Sequence, residues 1–355
     1  MVRHAVYMIV YFLAAFVISI IATLIIRKVA LLLEIVDVPD GERKLHAVRM
    51  PLLGGVALYV SFWLVVLYVA KATTLLAPHI TAGQLWGIFF GTTLIVVMGI
   101  FDDRQSVAPW IRMLVTALAV CIVLATGIGL TEVTNPWGGV INLHFWSVDV
   151  GRFGTLSIAA SLVSFIWLMG MMYTTKILDG LDGLSAGITG VGFFMIFLLT
   201  NTKKFFQPDV GLLALIALGV IMGFLIFNFY PAKIFLGESG SIFIGFILGI
   251  LAIISGGKIA TALLVMAVPI LDLLRVIYVR FNREQPVFKG DREHLHFRLR
   301  DAGFSERTTV IFMYLVALLF GLTTLTLQSR VKFVALGLLA VAMLLVAIWL
   351  NKKKK

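Results

Sequence analysis

The residues of this sequence best suited to chemistry are carboxylates that follow long apolar stretches. Asp102 and Asp103 stand side by side at the end of one such stretch, in the string GIFDDR. Adjacent carboxylates repel each other, so the pair needs a shared proton or a cation. It suits a general base or a neighbour of Mg²⁺, although an Asp-Asp pair also occurs at ordinary helix ends. Arg112 follows on the same side and offers a charge for phosphate.

A second pair of carboxylates lies in the string KILDGLDGLSAG, residues 176–187. Asp179 and Asp182 are three positions apart and would share a face if the stretch were helical. The glycines favour instead a broken helix whose backbone amides can approach a ligand. The ligand order of an EF-hand calcium loop is absent from this string.

A third string, NFYPAKIFLGESGS, runs from Asn228 to Ser241 and places Glu238 at the start of a Gly/Ser-rich helix. Free amides and the helix dipole favour anions at such a start. A helix cap formed by Glu238 or Ser239 is also expected, and such a cap does not exclude a function.

The fourth string is DREHLHFRL, which follows Asp272 in a strongly basic loop. His294 and His296 alternate there with apolar residues. A zinc site would require more ligands. A diphosphate clamp formed by these histidines with Arg292 and Arg298 fits the surrounding charge better.

The elements that carry these strings are predicted to be membrane helices. The chain has 355 residues, of which 61% are hydrophobic and 13% charged, against about 45–50% and about 25% in soluble domains. The single cysteine, Cys121, excludes a disulfide scaffold. The net charge of +11 comes from residues between apolar runs rather than from one basic module, which argues against nucleic-acid binding.

About 20 apolar residues are needed for each crossing of a bilayer, and on this measure the chain has eleven candidates. We predict an all-α polytopic membrane protein with one domain over residues 1–355. The predicted spans are 5–28, 52–71, 84–101, 109–130, 155–173, 183–200, 209–228, 239–256, 258–279, 307–327 and 332–350.

Basic residues orient these spans. The loops near 34–51, 102–108, 174–182, 229–238 and 280–306, with the C-terminal lysines, hold most of the 29 Lys and Arg residues. The face that they share should be cytoplasmic, with the C-terminus on it and the N-terminus outside. Carboxylates near hydrocarbon are costly and usually line a functional cavity. Several gather at membrane ends on this face: Asp102, Asp103, Asp179, Asp182, Glu238 and Asp272.

The four strings, in this order, resemble the polyprenyl-phosphate N-acetylhexosamine-1-phosphate transferases, of the glycosyltransferase 4 type. The likeness runs from ERKLH at 42–46 and PLLGG at 51–55 to Leu299, and it favours the branch that handles UDP-N-acetylglucosamine. It implies a plasma-membrane enzyme that transfers GlcNAc-1-phosphate from a UDP-sugar to undecaprenyl or another polyprenyl phosphate. UMP would be released in this first membrane step of a cell-envelope glycan.

The resemblance also implies roles for residues. Asp102 and Asp103 are expected to be catalytic, and Glu238 with Asp179 to hold Mg²⁺, for which Mn²⁺ could substitute. Residues expected to bind substrate are Lys44, His46, Arg112, Lys176, Asp179, Asp182, Asn228, Arg292, His294, His296 and Arg298.

This chain departs from the family pattern at several of these positions. Tyr173 and Lys176 stand where two asparagines are usual, Glu238 replaces an aspartate, and Phe297 replaces the last histidine of the loop. Arg112 replaces a lysine. The ammonium of Lys176 cannot ligate Mg²⁺; it could supply part of that ion's charge and would also repel it.

Two other classes of function stay open at this point. A transporter would carry its acids in the middle of the spans, whereas here nearly all of them are predicted at one membrane surface. A catalytically inactive relative that binds lipid or nucleotide is kept open by Tyr173 and Lys176. The sequence does not separate direct displacement from a covalent aspartyl intermediate, and it leaves a homo-oligomer open.

Overall fold

The computed structural model describes residues 2–38, 49–76, 79–135, 137–149, 155–256, 259–285, 293–326 and 329–353. Helices dominate this part of the chain. In order they are α1 (Val2–Leu32), α2 (Gly54–Ala72), α3 (Ala82–Arg104), α4 (Pro109–Ala125), α5 (Ile158–Leu178), α6 (Leu184–Thr200), α7 (Pro208–Asn228), α8 (Gly237–Ile254), α9 (Ile259–Val265), α10 (Ala267–Asn282), α11 (Leu295–Asp301), α12 (Glu306–Thr326) and α13 (Ser329–Lys353).

The described strands are short and pair antiparallel in three two-stranded sheets. They are β1 (Val36–Asp37) with β2 (Met50–Pro51), β3 (Glu132–Thr134) with β4 (Val140–Asn142), and β5 (Ser147–Asp149) with β6 (Thr155–Ser157). The last two sheets lie between α4 and α5. They therefore lie at the ends of these helices opposite to Arg112 and Lys176.

Seven of the described helices are long and apolar enough to cross a membrane, and α9 with α10 makes an eighth span if counted together. The chain is thus a helical, multi-pass membrane protein, as the composition predicted. The helices α4 and α6 are apolar but shorter. Each of the eleven predicted spans coincides with helix, yet their number stays a prediction.

The ninth predicted span is bent. The axes of α9 and α10 meet at 74°. Pro269, in the first turn of α10, has no N–H to offer the carbonyl of Val265, and its ring crowds that carbonyl. The two helices therefore cannot continue as one straight span.

Small residues bring the helices that carry the carboxylates together around α8. A Cβ atom on Gly99 would lie 2.4 Å from Cα of Ser239, and one on Gly55 would lie 2.1 Å from the nitrogen of Gly240. Backbones approach this closely only where side chains are absent. The packing places the end of α3 beside the start of α8.

The segment before α8 is held by the PLLGG string. Phe235 N donates to Pro51 O at 2.9 Å, Gly54 N donates to Phe235 O at 3.1 Å, and Gly55 N donates to Leu236 O at 2.8 Å. This string therefore fixes where α8 begins.

Candidate active site

Four helix ends meet around the carboxylate of Glu238. Arg112, in the first turn of α4, lies 3.1 Å from Oδ2 of Asp102 and 3.6 Å from Oε1 of Glu238. Lys176, in the last turn of α5, forms an ion pair with the same Glu238 oxygen. The side chain of Glu238 is 10% exposed, so both cations hold a nearly buried carboxylate. The ammonium of Lys176 also lies 5.6 Å from the centre of the Tyr173 ring.

The aspartate pair is engaged by other protein groups. Asp103 Oδ1 accepts a hydrogen bond from Glu238 N at 2.9 Å, and Ser239 Oγ donates to its Oδ2 at 3.4 Å. Asp102 Oδ1 accepts from Val107 N at 2.8 Å. The expected cap of α8 by Glu238 or Ser239 is therefore wrong: the carboxylate that caps this helix comes from Asp103 on α3, because the close packing at Gly99 brings it there.

These residues, as they lie, do not fit a divalent cation. Oε1 of Glu238 already faces an ammonium and a guanidinium. Within the described ranges, no group of three or more His, Cys, Asp or Glu side chains could hold a metal ion. The expected ligation of Mg²⁺ by Glu238 and Asp179 stays a prediction from the resemblance.

The DGLDG string breaks the helix, as its glycines predicted. The helix α5 ends at Leu178, and α6 begins at Leu184 after Gly183, whose φ of +77° suits glycine. Asp182 Oδ2 accepts a hydrogen bond from Ala232 N at 2.8 Å. This bond ties the string to the segment that precedes α8.

Asp179 differs from the other acids of the site. It is exposed, and among the described residues its carboxylate accepts no hydrogen bond. The surrounding protein leaves the side chain accessible but limits the hydration of the carboxylate, which raises its pKa well above the usual value. The negative charges of Asp103, Glu238 and Asp182 raise this pKa further. Its proton is therefore held more tightly than that of an ordinary aspartate.

His294, which precedes α11, is positioned from α10. Asp272 Oδ2 accepts hydrogen bonds from His294 Nδ1 at 2.9 Å and from Leu295 N at 3.0 Å. Its Oδ1 accepts from Arg275 at 2.9 Å. The rings of His294 and His296 lie parallel, with centres 5.9 Å apart. Asp272 thus fixes both a ring and the start of α11.

His296 is buried beside Gly180. Among the described residues its Nε2 has no hydrogen-bond partner, and a Cβ atom on Gly180 would lie 2.7 Å from it. Burial lowers the pKa of His296 to about 3, so the ring is neutral. An unpaired buried nitrogen costs about 1–3 kcal/mol, which a polar group of a ligand could offset.

The remaining expected site residues lie in different surroundings. Asn228 is buried and donates from Nδ2 to Ile234 O at 3.0 Å, so it stabilises the turn before α8. Arg298 is buried on α11. Lys44, His46 and Arg292 lie outside the described residues.

Sequence reasoning missed two residues of α12 that contact the DGLDG string. Glu306 accepts from Asp182 N at 3.0 Å and pairs with Arg300 at 3.3 Å. Tyr314 donates from its hydroxyl to Gly183 O at 2.5 Å. Both lie more than 120 positions from the string that they touch, and no spacing signal connects them.

An apolar cavity of about 660 Å³ opens between α10, α11, α12 and α13. Leu295 and Leu299 of α11 form one wall, and Phe312 and Leu339 lie on two others. The helix that carries His296 therefore faces the cavity with its apolar side.

Comparisons with known proteins identify relatives of this chain. The model of glycosyl transferase family 4 matches residues 85–256, which run from α3 to the end of α8. A "Probable undecaprenyl-phosphate N-acetylglucosaminyl 1-phosphate transferase" of Bacillus subtilis (strain 168) is 28% identical over 346 residues, covering 94% of this chain and 90% of that protein.

Two further relatives show similar coverage. A decaprenyl-phosphate N-acetylglucosaminephosphotransferase of Mycobacterium leprae (strain TN) is 29% identical over 328 residues, covering 85% of this chain and 79% of that protein. An undecaprenyl-phosphate alpha-N-acetylglucosaminyl 1-phosphate transferase of Yersinia pestis is 27% identical over 318 residues, covering 86% of this chain and 80% of that protein.

Proposed function

Because this chain belongs to the polyprenyl-phosphate N-acetylhexosamine-1-phosphate transferases of glycosyl transferase family 4, we propose that it transfers GlcNAc-1-phosphate from UDP-GlcNAc to undecaprenyl phosphate or a similar polyprenyl phosphate. An oxygen of the lipid phosphate attacks the β-phosphorus of the nucleotide sugar and forms a new P–O bond. The bond from that phosphorus to the bridging oxygen breaks, and UMP leaves with the electron pair. The product is a lipid-diphosphate sugar of the cell envelope.

The observation that carries this proposal is the meeting of Arg112 and Lys176 on the carboxylate of Glu238. Two anionic phosphates must approach each other in this reaction, so preorganised positive charge and alignment are the main requirements. Both cations lie at helix ends, within reach of a ligand that enters from that face.

The carboxylates have different parts in this proposal. Asp102 orients the guanidinium of Arg112, and Asp103 fixes the amide of Glu238. Asp179 is exposed and holds no described partner, so its carboxylate is the one free to orient the lipid phosphate or take its proton. Asp102 and Asp103 are required because the cations and α8 are misplaced without them.

The acceptor's chain has a place beside α11. We assign the apolar cavity of about 660 Å³ to the polyprenyl chain. The cavity is bounded by apolar side chains of membrane helices, and Leu295 and Leu299 on its wall belong to the helix that carries His296 and Arg298. A lipid whose chain fills the cavity would therefore bring its phosphate to the basic end of α11.

For the topology, we propose eleven spans in the plasma membrane, with the N-terminus outside. The C-terminus and the ion pairs of Glu238 with Arg112 and Lys176 then face the cytoplasm, since the loops on that side are basic. Labelling of the cysteines in Arg104→Cys and Arg283→Cys should place both positions on the same side as the C-terminus. Labelling of these two positions from opposite sides would refute a shared active-site face.

The decisive experiment uses the purified full chain with undecaprenyl phosphate and a panel of UDP-sugars. We expect UMP release that depends on the acceptor and is fastest with UDP-GlcNAc, together with a lipid-linked product of matching mass. Absence of release with every sugar, while nucleotide or lipid still binds, would identify a catalytically inactive relative instead.

A further inference from the structure

Lys176 occupies the position at Glu238 where a cation is needed. Its ammonium contacts Glu238 Oε1, and Arg112 reaches the same oxygen at 3.6 Å. The side chain of Lys176 is 25% exposed, so the ammonium borders the open site rather than a closed core. A ligand phosphate can therefore reach it without displacing a helix.

The two acids that form ion pairs at this point, Asp102 and Glu238, already have cationic partners. Asp102 and Glu238 contribute two negative charges, and Arg112 and Lys176 contribute two positive charges within ion-pair distance of them. A divalent ion would need oxygen ligands in near-octahedral order. At Glu238 it would have to displace the ammonium first, against the repulsion of the guanidinium.

The neighbours of Lys176 support a fixed ammonium. The ammonium of Lys176 lies near the ring of Tyr173, and an aromatic face attracts a nearby cation. Tyr173 and Lys176 share one face of α5, three positions apart. The ring thus helps to direct the ammonium towards Glu238.

On the premise that the proposed transfer is correct, we propose that Lys176 is a catalytic residue that replaces a divalent cation at Glu238. Its ammonium holds the carboxylate in the free enzyme and turns to the diphosphate of the nucleotide sugar when that ligand binds. Negative charge that develops on the departing UMP is then neutralised by Lys176 and Arg112. Transfer does not require a metal ion at Glu238.

The first arm of the test measures UMP release by the full-length protein in EDTA and across a Mg²⁺ titration. Wild type should keep most of its rate in EDTA. Lys176→Gln should lose about 10²-fold in EDTA, the usual cost of one preorganised charge, and recover as Mg²⁺ is added. Lys176→Arg, which keeps a cation, should resist EDTA. Lys71→Gln is the matched control. Lys71 is exposed in the last turn of α2, at the opposite end of that helix from Gly54 and Gly55, which contact the start of α8.

The second arm measures Mn²⁺ binding by electron paramagnetic resonance and needs no turnover. Lys176→Gln should bind one Mn²⁺ at least about tenfold more tightly than wild type, since a tethered competitor has been removed. Adding Glu238→Gln to Lys176→Gln should abolish that site. This arm distinguishes two roles of Lys176. If Lys176 competes with a metal ion, its removal raises the Mn²⁺ affinity; if its ion pair with Glu238 is only structural, the Mn²⁺ affinity is unchanged.

Two results would overturn the proposal: complete loss of wild-type rate in EDTA with recovery in Mg²⁺, or equal Mn²⁺ affinity in wild type and Lys176→Gln. If no protein releases UMP under any condition, the proposed function fails, and the Mn²⁺ contrast still decides whether Lys176 excludes a metal. If Lys176→Gln does not fold, Lys176→Met takes its place in both arms, since it keeps the length of the side chain.

Discussion

Asp103 on α3 caps α8 through the backbone of Glu238: its Oδ1 accepts the hydrogen bond from Glu238 N at 2.9 Å. One residue thus fixes the main chain of the acid that Lys176 and Arg112 hold by its side chain. The first turn of α8 leaves orphan amides, and the cap is supplied across a helix–helix contact rather than from within the helix.

Removing this cap should loosen α8 and displace Glu238. We expect Asp103→Ala to lower the free energy of unfolding by about 0.5–2 kcal/mol, the usual cost of a lost cap. UMP release should fall by about 10²-fold because a charged partner of the site is misplaced. Thermal unfolding in detergent and a UMP assay would measure the two effects. Unchanged values for both would mean that α8 does not depend on this cap.

The stability of the protein should depend on pH through Asp179. Its pKa is raised in the folded protein, so the folded chain keeps this proton at pH values at which the unfolded chain has lost it. Stability therefore decreases as the pH rises from the ordinary value of 3.8 through the folded pKa.

Asp179→Asn should remove this decrease. The variant should melt at a higher temperature than wild type at pH 8, and the difference should shrink towards pH 4. Glu132→Gln, an exposed acid at the other end of the helices, is the control and should show no such trend. If the difference in melting temperature between Asp179→Asn and wild type is the same at every pH, the raised pKa of Asp179 does not cause the pH dependence of stability.

Asp272 should be needed for the order of α11. Asp272→Ala leaves Arg275 without its buried carboxylate partner, and breaking such a pair costs about 3–5 kcal/mol. Hydrogen exchange should rise at residues 294–299, since the bonds to His294 Nδ1 and Leu295 N are lost. Glu293→Gln, which removes the 4.0 Å contact with Arg283, should have little effect on exchange. Equal exchange in both variants would contradict this role.

His296 should carry a trade-off between stability and activity. His296→Leu removes a buried nitrogen that has no described partner, so the protein should gain stability of about 1 kcal/mol. The rate of transfer should fall, because the nitrogen is no longer available to a ligand beside Gly180. Unfolding and UMP release measured on one preparation would test both. A variant that is less stable yet fully active would show that the nitrogen has a structural role.

The apolar cavity should select the length of the acceptor's chain. Ala335 lies on its wall, and Ala335→Trp would fill part of the volume. We expect the KM for undecaprenyl phosphate to rise about tenfold. The KM for a short-chain phosphate such as farnesyl phosphate should change little. An equal change for both acceptors would place the long chain elsewhere.

The helices themselves could be predicted from the sequence. Apolar length is a local property, because about 20 consecutive residues decide whether a helix can cross the bilayer. The break at DGLDG was also predictable, since glycine at Gly183 permits a φ that other residues avoid. The alternation of spans then assigns Asp102, Asp179 and Glu238 to one face before any contact is known.

The partners of those acids were decided by the tertiary structure alone. Lys176 and Glu238 are 62 positions apart, and Asp103 and Glu238 are 135 apart. Which pairs form depends on how closely the helices pack, and the glycine contact at Gly99 sets that distance for α3 and α8. Hydrophobic periodicity carries no information about such contacts, because side chains of many sizes satisfy the same apolar face. The sequence thus predicted that the charges share one surface, and the packing of backbones at glycine decided which charges neutralise each other.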